Sequence, residues 1–289
     1  MTLMTSVREG LVGNGDAARE PPALTEAHLG HRTLIAFNRA LTRWSSRGAL
    51  EEGDGAVLCA SGTWIPVVAN GAFRSDDALS GTTLIARADA FFSGLGRGYT
   101  VKVRDSGEDE DLRLACEEEG LEVFGDPVPE MICRAPLAEQ PSLAGVVVHR
   151  VDDEAGVHDF TAVNAEAYAT YGMPEEVHGD LFDRVALLLE DPAASIVVAR
   201  RDDRPVATAM VYESDGVASV QWVGTVPAGR AAGLGALVTV ATTNLAFAHG
   251  ASSCSLQASP MGEPVYRRLG YETAYHYEEY VRWPSAPER

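Results

Sequence analysis

The segment that most constrains this chain runs from Thr225 to Ala236 and reads TVPAGRAAGLGA. It lies between an apolar strand-like run and a long apolar stretch with helical spacing. Glycines lack a Cβ, so an anion can approach their backbone N–H groups closely. The first N–H groups of a helix have no internal partner and point at such an anion. The segment therefore predicts a site for a diphosphate, to which Arg230 adds positive charge and forked donors.

Two other anion-binding turns share this order of elements, and the residues exclude both. A dinucleotide-binding turn needs a third glycine, which residues 233–238 do not supply at the right step. A P-loop needs a lysine after its last glycine, and the segment contains no lysine. A nucleotide-dependent enzyme is therefore a weak interpretation of this chain.

A second segment follows the glycine loop and reads SPMGEPVYRRLGY over residues 259–271. Together the two segments resemble the GNAT superfamily of N-acyltransferases, which carries Arg-x-x-Gly-x-Gly and then Asn-x-x-Ala-x-x-aliphatic-Tyr-x-x-Leu-Gly-Phe. Tyr266 and residues 269–271 fall in register with that second motif. Ser259 replaces the usual Asn and Gly262 replaces the usual Ala. The resemblance covers residues 146–283, about half of the chain.

The composition is that of a folded protein with an acidic surface. Hydrophobic residues make up 46% of the 289 residues, and the formal net charge is −19. No apolar run reaches the length of a membrane span. Negative charge repels nucleic acid and anionic membranes, so neither is expected as a partner. The same charge favours cationic acceptors such as amines, although it equally serves solubility.

Cysteine and histidine usage bears on the compartment and on metals. The four cysteines show no paired spacing and are predicted to be reduced core thiols, which points to the cytoplasm. The seven histidines are scattered without a metal-binding spacing, so no metal is expected. Residues 1–22 lack the apolar stretch of a secretory signal and are expected to be disordered.

Residues 146–289 alternate strand and helix patterns in the order β-α-α-β-β-β-α-β-α-β. The pattern gives a first helix capped by Asp152 or Asp153 and a second helix from Glu175 to about Glu190. Three strands follow, and the glycine loop and its helix come after them. This order is that of a complete GNAT fold, so the resemblance implies a catalytic N-acetyltransferase domain over residues 146–289.

Residues 23–135 repeat part of this order in a blurred form, including a predicted strand over Pro66–Phe73. We therefore predict an α/β protein of tandem GNAT-like folds, each a mixed sheet flanked by helices, with a linker over 136–145. Where the first copy should carry a glycine loop it has Asp76 and Asp77, which would repel a diphosphate. The N-terminal copy is accordingly predicted to be degenerate and structural, closing one side of an acceptor pocket or supporting a homodimer.

The resemblance implies acetyl-CoA as the co-substrate. It further implies that the strand ending at Thr225 splays from its neighbour, so that Val223 and Thr225 pair with the pantetheine amides like an added strand. Ser259 takes the position of an Asn that contacts the cofactor. The implied cofactor-binding set is Val223, Thr225, Val226, Arg230, Ala231, Gly233, Leu234, Gly235, Ala236 and Ser259.

Tyr266 matches the family's tyrosine near the CoA sulfur, which implies that it acts as a general acid. A phenol with a pKa of about 10 can give its proton to a departing thiolate. The general base is left open among a strand carboxylate, a histidine and a chain of waters, and Glu213 is the carboxylate candidate. Tyr168, Tyr171 and Met173 are expected to line the acceptor pocket.

These residues predict transfer of an acetyl group from acetyl-CoA to a primary amine by direct attack in a ternary complex. The acceptor, a small molecule or a peptide, is not identified by the residues. The alternative is a non-catalytic acyl-CoA sensor or interaction module, because the binding loop is nearly complete whereas the base is unassigned.

Overall fold

The computed structural model describes residues 26–284, which are built around a twelve-stranded mixed sheet. The expectation for residues 1–22 lies outside the described residues. The elements of the first half are α1 (Glu26–Trp44), β1 (Ala49–Gly53), β2 (Ala56–Ala60), α2 (Pro66–Ala69), β3 (Gly71–Arg74), α3 (Gly81–Gly94), β4 (Tyr99–Arg104), α4 (Glu110–Glu118), β5 (Glu122–Val123) and β6 (Val128–Cys133).

The second half begins after an irregular segment and ends near the last described residue. Its elements are β7 (Val146–Arg150), α5 (Glu154–Ala169), α6 (Glu176–Leu181), α7 (Val185–Leu189), β8 (Ala194–Arg201), β9 (Arg204–Ser214), β10 (Val217–Thr225), a 3₁₀ turn (Pro227–Gly229), α8 (Leu234–Ala248), β11 (Cys254–Gln257), α9 (Glu263–Leu269) and β12 (Glu272–Arg282).

The two halves share the strands at the centre of the sheet. The strand order is β1-β2-β3-β4-β12-β6-β11-β10-β9-β8-β7, and β5 also pairs with β12. The last strand of the first half, β6, pairs with β11 of the second half, with Met131 opposite Leu256. The last strand of the chain, β12, pairs with β4 of the first half, with Val281 opposite Thr100. Each half therefore completes its sheet with a strand from the other.

Helices cover both faces of the sheet because each strand alternates its side chains between them. On one face α8 packs over a core that includes Leu256, Met131 and Tyr271. On the opposite face α1 contacts β2 and β12 as well as β9 and β10, so it crosses the boundary between the halves. On that face, Phe160 of α5 and Phe182 pack with Trp44 of α1. We call this second side the α1 face.

Local chemistry explains where elements begin and where two sequence predictions were wrong. Asp153 caps α5 by accepting a hydrogen bond from the Gly156 N–H at 2.8 Å, which settles the choice between two aspartates. The strand predicted from Pro66 is a short helix up to Ala69, since proline suits the first helical turn, and the strand begins only at Gly71.

The helix predicted over 175–190 is broken in two, α6 and α7. The intervening backbone is tied to the end of α1 instead of to its own helix. Arg184 N–H donates to the Trp44 carbonyl at 2.9 Å, and Ser45 Oγ donates to the Asp180 carbonyl at 2.8 Å. The tertiary bonds thus replace the helical bonds that the spacing predicted.

Three further properties concern cysteines, membranes and metals. Cys59, Cys116, Cys133 and Cys254 are buried free thiols, as predicted, and burial raises the pKa of Cys59 to about 12. Between residues 26 and 284, no helix combines the length and the apolar character needed to cross a membrane. Over the same range, no group of three or more His, Cys, Asp or Glu side chains is placed to hold a metal ion.

Candidate functional site

A gap opens in the sheet between β10 and β11. These parallel strands pair only over Ala218–Val220 and Cys254–Leu256, and then diverge. A bulge in β10 between Gln221 and Gly224 places Trp222 at a φ of 52° and increases the bend. From residue 221 to residue 225 one edge of β10 has no strand partner among the described residues. Val223 and Thr225 lie on this stretch, as the resemblance implied.

The glycine loop lies at the end of β10, immediately before α8. Gly233 precedes the helix at a φ of 81°, a left-handed conformation that glycine adopts readily. The first bond of α8 joins Leu237 N–H to the Gly233 carbonyl at 3.0 Å. The N–H groups of Leu234, Gly235 and Ala236 precede that bond and have no partner within the helix. Residues 231–233 are exposed, so the positive end of the α8 dipole faces solvent here.

Arg230 directs its side chain away from this helix end. Its Nη2 donates to the Ala167 carbonyl and to Thr170 Oγ1, each at 3.0 Å, at the C-terminal end of α5. A cation at a helix C-terminus is favoured by the dipole, so Arg230 holds α5 against the loop. The Val226 N–H is also engaged, with the Val206 carbonyl at 3.0 Å. Direct binding of a diphosphate by these two residues stays a prediction.

Ser259 and Tyr266 belong to the turn and helix that follow β11. Ser259 is exposed and accepts hydrogen bonds from the backbone at the start of α9, including one from Gly262 N–H to its Oγ at 3.2 Å. The Tyr266 ring is buried against Gly262, where a Cβ would come within 2.7 Å of the ring. A larger residue there would displace the ring, which explains why glycine replaces the family's alanine beside this tyrosine.

Three tyrosines from the two faces of the sheet come together beside the gap. Tyr168 lies at the end of α5, with its ring centroid 6.0 Å from that of Tyr171. Burial raises the pKa of Tyr266, and the nearby Tyr171 raises it further. Burial likewise raises the pKa of Tyr168, to which Tyr266 and Tyr171 also contribute. Met173 packs at the margin of the neighbouring core. Tyr266 therefore lies within electrostatic range of Tyr168 and Tyr171, whereas Met173 is placed only in the neighbouring core.

Buried polar side chains lie next to these tyrosines, and one of them, His178, is a histidine that the sequence left open as a candidate for the base. His178 of α6 is 1% exposed, and neither ring nitrogen has a hydrogen bond within the described residues. Burial lowers the pKa of this imidazole to about 4, so it is neutral at physiological pH. Its ring packs 5.3 Å from that of Trp222, whose Nε1 is also without a partner. A lone helical histidine gives no pattern that spacing could detect.

Asn164 of α5 is the third such group, and neither of its amide atoms has a hydrogen bond to any residue that the structure describes. It lies against the bulged strand, because a Cβ on Gly224 would stand 2.5 Å from Asn164 Oδ1. Only glycine allows this close approach of backbone and amide. Buried polar atoms normally have partners, so these groups indicate a place where a polar ligand is received.

Glu213 lies at the opposite end of the strand pair. It is opposite Ala218 at the start of β10, whereas the gap opens after Val220. Its Oε1 is 2.8 Å from Nδ1 of His249 at the end of α8. The structure does not bring Glu213 together with Tyr266, and its role as the base stays a prediction.

The equivalent gap in the first half is filled by the protein itself. Strands β3 and β4 pair only at Gly71–Thr100 and Ala72–Val101 and then diverge. The guanidinium groups of Arg74 and Arg104 both bind the buried carboxylate of Asp109 beyond that point; Arg104 Nε lies 2.7 Å from Asp109 Oδ2. These partners hold the pKa of Asp109 well below its usual range despite burial.

The start of α3, which corresponds to the glycine loop, is occupied as well. Gly81 N–H donates to Asp111 Oδ2 at 2.9 Å, and Ser80 Oγ accepts from Thr83 N–H at 3.2 Å. An aspartate thus takes the position of an anion, although it is Asp111 from the following helix. The predicted Asp77 instead pairs with Arg104 at 3.0 Å. Both features fit a degenerate first copy.

Comparisons with known proteins agree with this geometry. The family model of the acetyltransferase (GNAT) domain matches residues 134–268. A mycothiol acetyltransferase from Clavibacter michiganensis subsp. michiganensis is 32% identical over 148 residues, which are 49% of this chain and 47% of that protein. Another from Clavibacter sepedonicus is 31% identical over 148 residues. The chain spans about half the length of the curated relatives it matches.

Solved structures show the same fold at low identity. A GCN5-related N-acetyltransferase from Kribbella flavida has a TM-score of 0.64 and 22% identity, covering 89% of this chain and 96% of that chain. A tandem GNAT protein from the clavulanic acid biosynthesis pathway has a TM-score of 0.58 and 15% identity, covering 84% and 86%. The tandem mixed α/β fold is thereby confirmed. Residues 134–268 match the GNAT acetyltransferase domain, and this match supports an acyltransferase activity for that part of the chain.

Proposed function

We propose that this protein transfers an acetyl group from acetyl-CoA to a primary amine. The observation that carries the proposal is the gap beyond Val220, together with the glycine loop at its edge. The gap offers a free strand edge, and the loop offers unpaired N–H groups at a positive helix end. The pantetheine arm of acetyl-CoA has amide groups that can pair with the strand edge, and its diphosphate can bind the N–H groups of the loop.

The protein residues would act on the two ends of the co-substrate separately. Backbone N–H groups of Gly233 to Ala236 would bind the diphosphate, with Ala231 beside them. The edge of β10 at Val223 and Thr225 would pair with the pantetheine amides and orient the thioester. Arg230 would keep α5 against the loop, and Ser259 would hold the turn before α9. Acetyl-CoA itself would supply the acetyl group in activated form.

Tyr266 would serve as the general acid. The phenol is protonated at neutral pH and therefore has a proton to give to the departing sulfur, although burial raises its pKa and makes it a weaker acid. The pair of Tyr168 and Tyr171 would form the wall of the acceptor pocket, with Met173 at its margin. His178 and Trp222 would present polar atoms to the acceptor from the same side.

Isothermal titration with acetyl-CoA, CoA and ATP tests the proposed binding site. We compare the wild-type protein with Gly233→Asp and with Gly233→Asn, because both replacements tolerate positive φ and only Asp adds charge. The proposal expects binding of both CoA species but not of ATP, and a larger loss of affinity in the Asp variant. Equal affinity in all three proteins would count against the glycine loop.

Turnover separates an enzyme from a non-catalytic acyl-CoA sensor. Tyr266→Phe removes the hydroxyl and keeps the ring, so CoA affinity should persist while CoA release falls. The screen for acceptors measures CoA release with small amines and peptides. The name of the Clavibacter relatives adds the deacetylated form of mycothiol to that screen. Unchanged turnover in the Phe variant would remove Tyr266 from the mechanism.

A further inference from the structure

A buried carboxyl group lies near the gap, on the strand that the first half contributes to the second. Glu130 of β6 is opposite Gln257 of β11 on one side and opposite Tyr275 of β12 on the other. It is 2% exposed and lies on the α1 face. Helix α1 passes directly over it, because a Cβ on Gly30 would stand 3.2 Å from Glu130 Oε1.

Three polar atoms around this carboxyl have no well-aligned hydrogen bond within the described part of the chain. They are Glu130 Oε2, Ser255 Oγ and Gln257 Nε2, and all three are buried. Ser255 and Gln257 alternate along β11 with Cys254 and Leu256, which belong to the core on the α8 side. Both therefore point to the α1 face, towards Glu130. Several buried polar atoms that meet at one point without well-aligned hydrogen bonds indicate that a small polar group is received there.

The orientation of Gln257 is fixed from the other side. Its Oε1 accepts a hydrogen bond from Lys102 Nζ at 3.2 Å, so its Nε2 is the atom left for Glu130. Lys102 is itself paired with Glu279, which offsets its charge. The Lys102 ammonium also lies 5.6 Å from the centroid of the Tyr277 ring. The first half thus supplies both the carboxyl and the cation that orders its neighbour.

The titration of Glu130 follows from this environment. Burial raises its pKa to about 7, while side-chain hydrogen bonding with Ser255 and Gln257 and the positive charge of Lys102 reduce the rise. The other titratable groups facing it are Tyr275 and Tyr277 of β12, whose pKa values burial also raises, and His31 of α1. Burial lowers the pKa of His31 to about 4, so this imidazole is neutral when Glu130 titrates.

The position of this cluster relative to the gap is set by the strand register. Val220 and Leu256 form the last pair between β10 and β11, so Gln257 is the first residue of β11 on the margin of the gap. Glu130 lies one strand behind Gln257, at an interstrand spacing of about 4.8 Å. An amine held between these two side chains would be next to a thioester oriented by the edge of β10.

We propose that Glu130, Ser255 and Gln257 form the site for the amino group of the acceptor, and that Glu130 takes up the proton which the ammonium form must lose. This rests on the proposed acetyl transfer. One N–H bond of the ammonium breaks and an O–H bond forms on Glu130, while the electron pair stays on nitrogen for attack on the acyl carbon. Attack forms the C–N bond, and Tyr266 gives its proton to the sulfur as the C–S bond breaks. The nitrogen then loses its second proton, which restores the Tyr266 phenol through solvent, so the products are the amide, the thiol and protonated Glu130.

The titration of Glu130 in the presence of a simple amine tests this site without knowledge of the natural acceptor. We follow the carboxyl C=O band by difference infrared spectroscopy with ethylammonium chloride, and with tetramethylammonium chloride at equal ionic strength. Both cations carry one positive charge, but only ethylammonium has N–H donors. Glu130→Gln assigns the band, and Glu118→Gln, an exposed carboxyl on α4, is the matched control.

The expected result is a band that titrates near pH 7, is absent in Glu130→Gln and is retained in Glu118→Gln. Ethylammonium should lower the apparent pKa by about one unit or more, since a nearby opposite charge favours the carboxylate. Tetramethylammonium should leave it unchanged. Equal effects of the two cations, or no effect of either, would overturn the site. The two cations are compared in the wild-type protein, where a carboxyl that titrates near pH 7 is distinguished by its pH range from carboxyls with ordinary pKa values near 4. The comparison therefore does not depend on folding of the Gln variant, which adds the residue assignment.

Acetyl-CoA binding separates failure of this site from failure of the proposed function. If wild-type protein does not bind acetyl-CoA, the proposed function fails. If it binds acetyl-CoA but ethylammonium does not shift the titration, only the amine site fails. Once an acceptor is found, Glu130→Gln should abolish the acidic limb of the pH–rate profile and reduce turnover by about 10²–10⁴-fold. The same effects in Glu213→Gln and not in Glu130→Gln would assign the base to Glu213.

Discussion

Replacing Glu130 by glutamine should change how the stability of the protein depends on pH. The folded protein raises the pKa of this carboxyl from 4.5 to about 7, so it binds the proton more tightly than the unfolded chain does. Below both pKa values the carboxyl is protonated in the folded and in the unfolded state, and its contribution to stability is fully present. As pH rises through this window the folded state must ionise a buried group, and stability is lost. The neutral amide of the Glu130→Gln variant has no such titration.

The magnitude follows from the two pKa values. One pKa unit corresponds to about 1.4 kcal/mol, so full ionisation of Glu130 costs the fold on the order of 3 kcal/mol. Between about pH 5 and about pH 8 the wild-type protein should lose roughly 2.5 kcal/mol through this group. We therefore compare the free energy of unfolding of Glu130→Gln with that of the wild type. The difference, variant minus wild type, should rise by the same amount over that pH window. Any fixed cost of the new amide cancels, because only the change with pH is compared.

Urea unfolding at a series of pH values measures this difference directly. Other titrating groups, including His31 and His178, affect both proteins equally and cancel in the comparison. Glu118→Gln, exposed on α4, is the control for the same replacement at a carboxyl that is not buried. A flat difference for Glu130→Gln would mean that this carboxyl titrates at its ordinary pKa, and the reasoning about its burial would be refuted.

Three further variants probe other parts of the structure. Asp109→Asn leaves two buried guanidinium groups without their shared carboxylate and should lower the free energy of unfolding by about 3–5 kcal/mol in urea titrations; a loss below about 1 kcal/mol would contradict the buried network. Gly262→Ala places a methyl group 2.7 Å from the Tyr266 ring, so CoA release should fall while CoA affinity, measured by calorimetry, is kept; unchanged release would show that the ring moves freely. Because the pKa of His178 is lowered to about 4, stability should fall as pH drops below 6.5, and His178→Asn should reduce that slope in urea titrations; an unchanged slope would contradict its burial.

The glycine loop and the motif around Tyr266 could be predicted because both are local. Each is a short run in which residue type sets backbone geometry, and the structure places Gly233 in the left-handed conformation before a helix. The splay of β10 followed from the family resemblance. Acetyl-CoA and the primary amine remain proposals, since this chain matches only about half the length of its curated relatives.

The shared central strands could not be predicted from the sequence. Nothing in the pattern of β12 indicates whether it pairs with β11 or with β4, because both pairings bury the same face. The burial of Glu130 could not be predicted for the same reason. In the sequence it is one acidic residue in a short strand, and its burial depends on β11, β12 and α1 together. Glu213 was the more visible carboxylate because it lies in a long strand, immediately before the strand that leads to the glycine loop.

The exchange of β6 and β12 has a consequence for synthesis of the chain. When the first half has left the ribosome, one edge of β4 is unpaired, and β6 has no neighbour among the described strands of the first half. The strands that pair with them, β11 and β12, are synthesised later. The edge of β4 is filled only by β12, at the very end of the described chain. Contacts between residues so distant in sequence slow folding, and an open edge invites pairing between nascent chains. A protein cut short before β12 should therefore aggregate rather than persist as a folded first half.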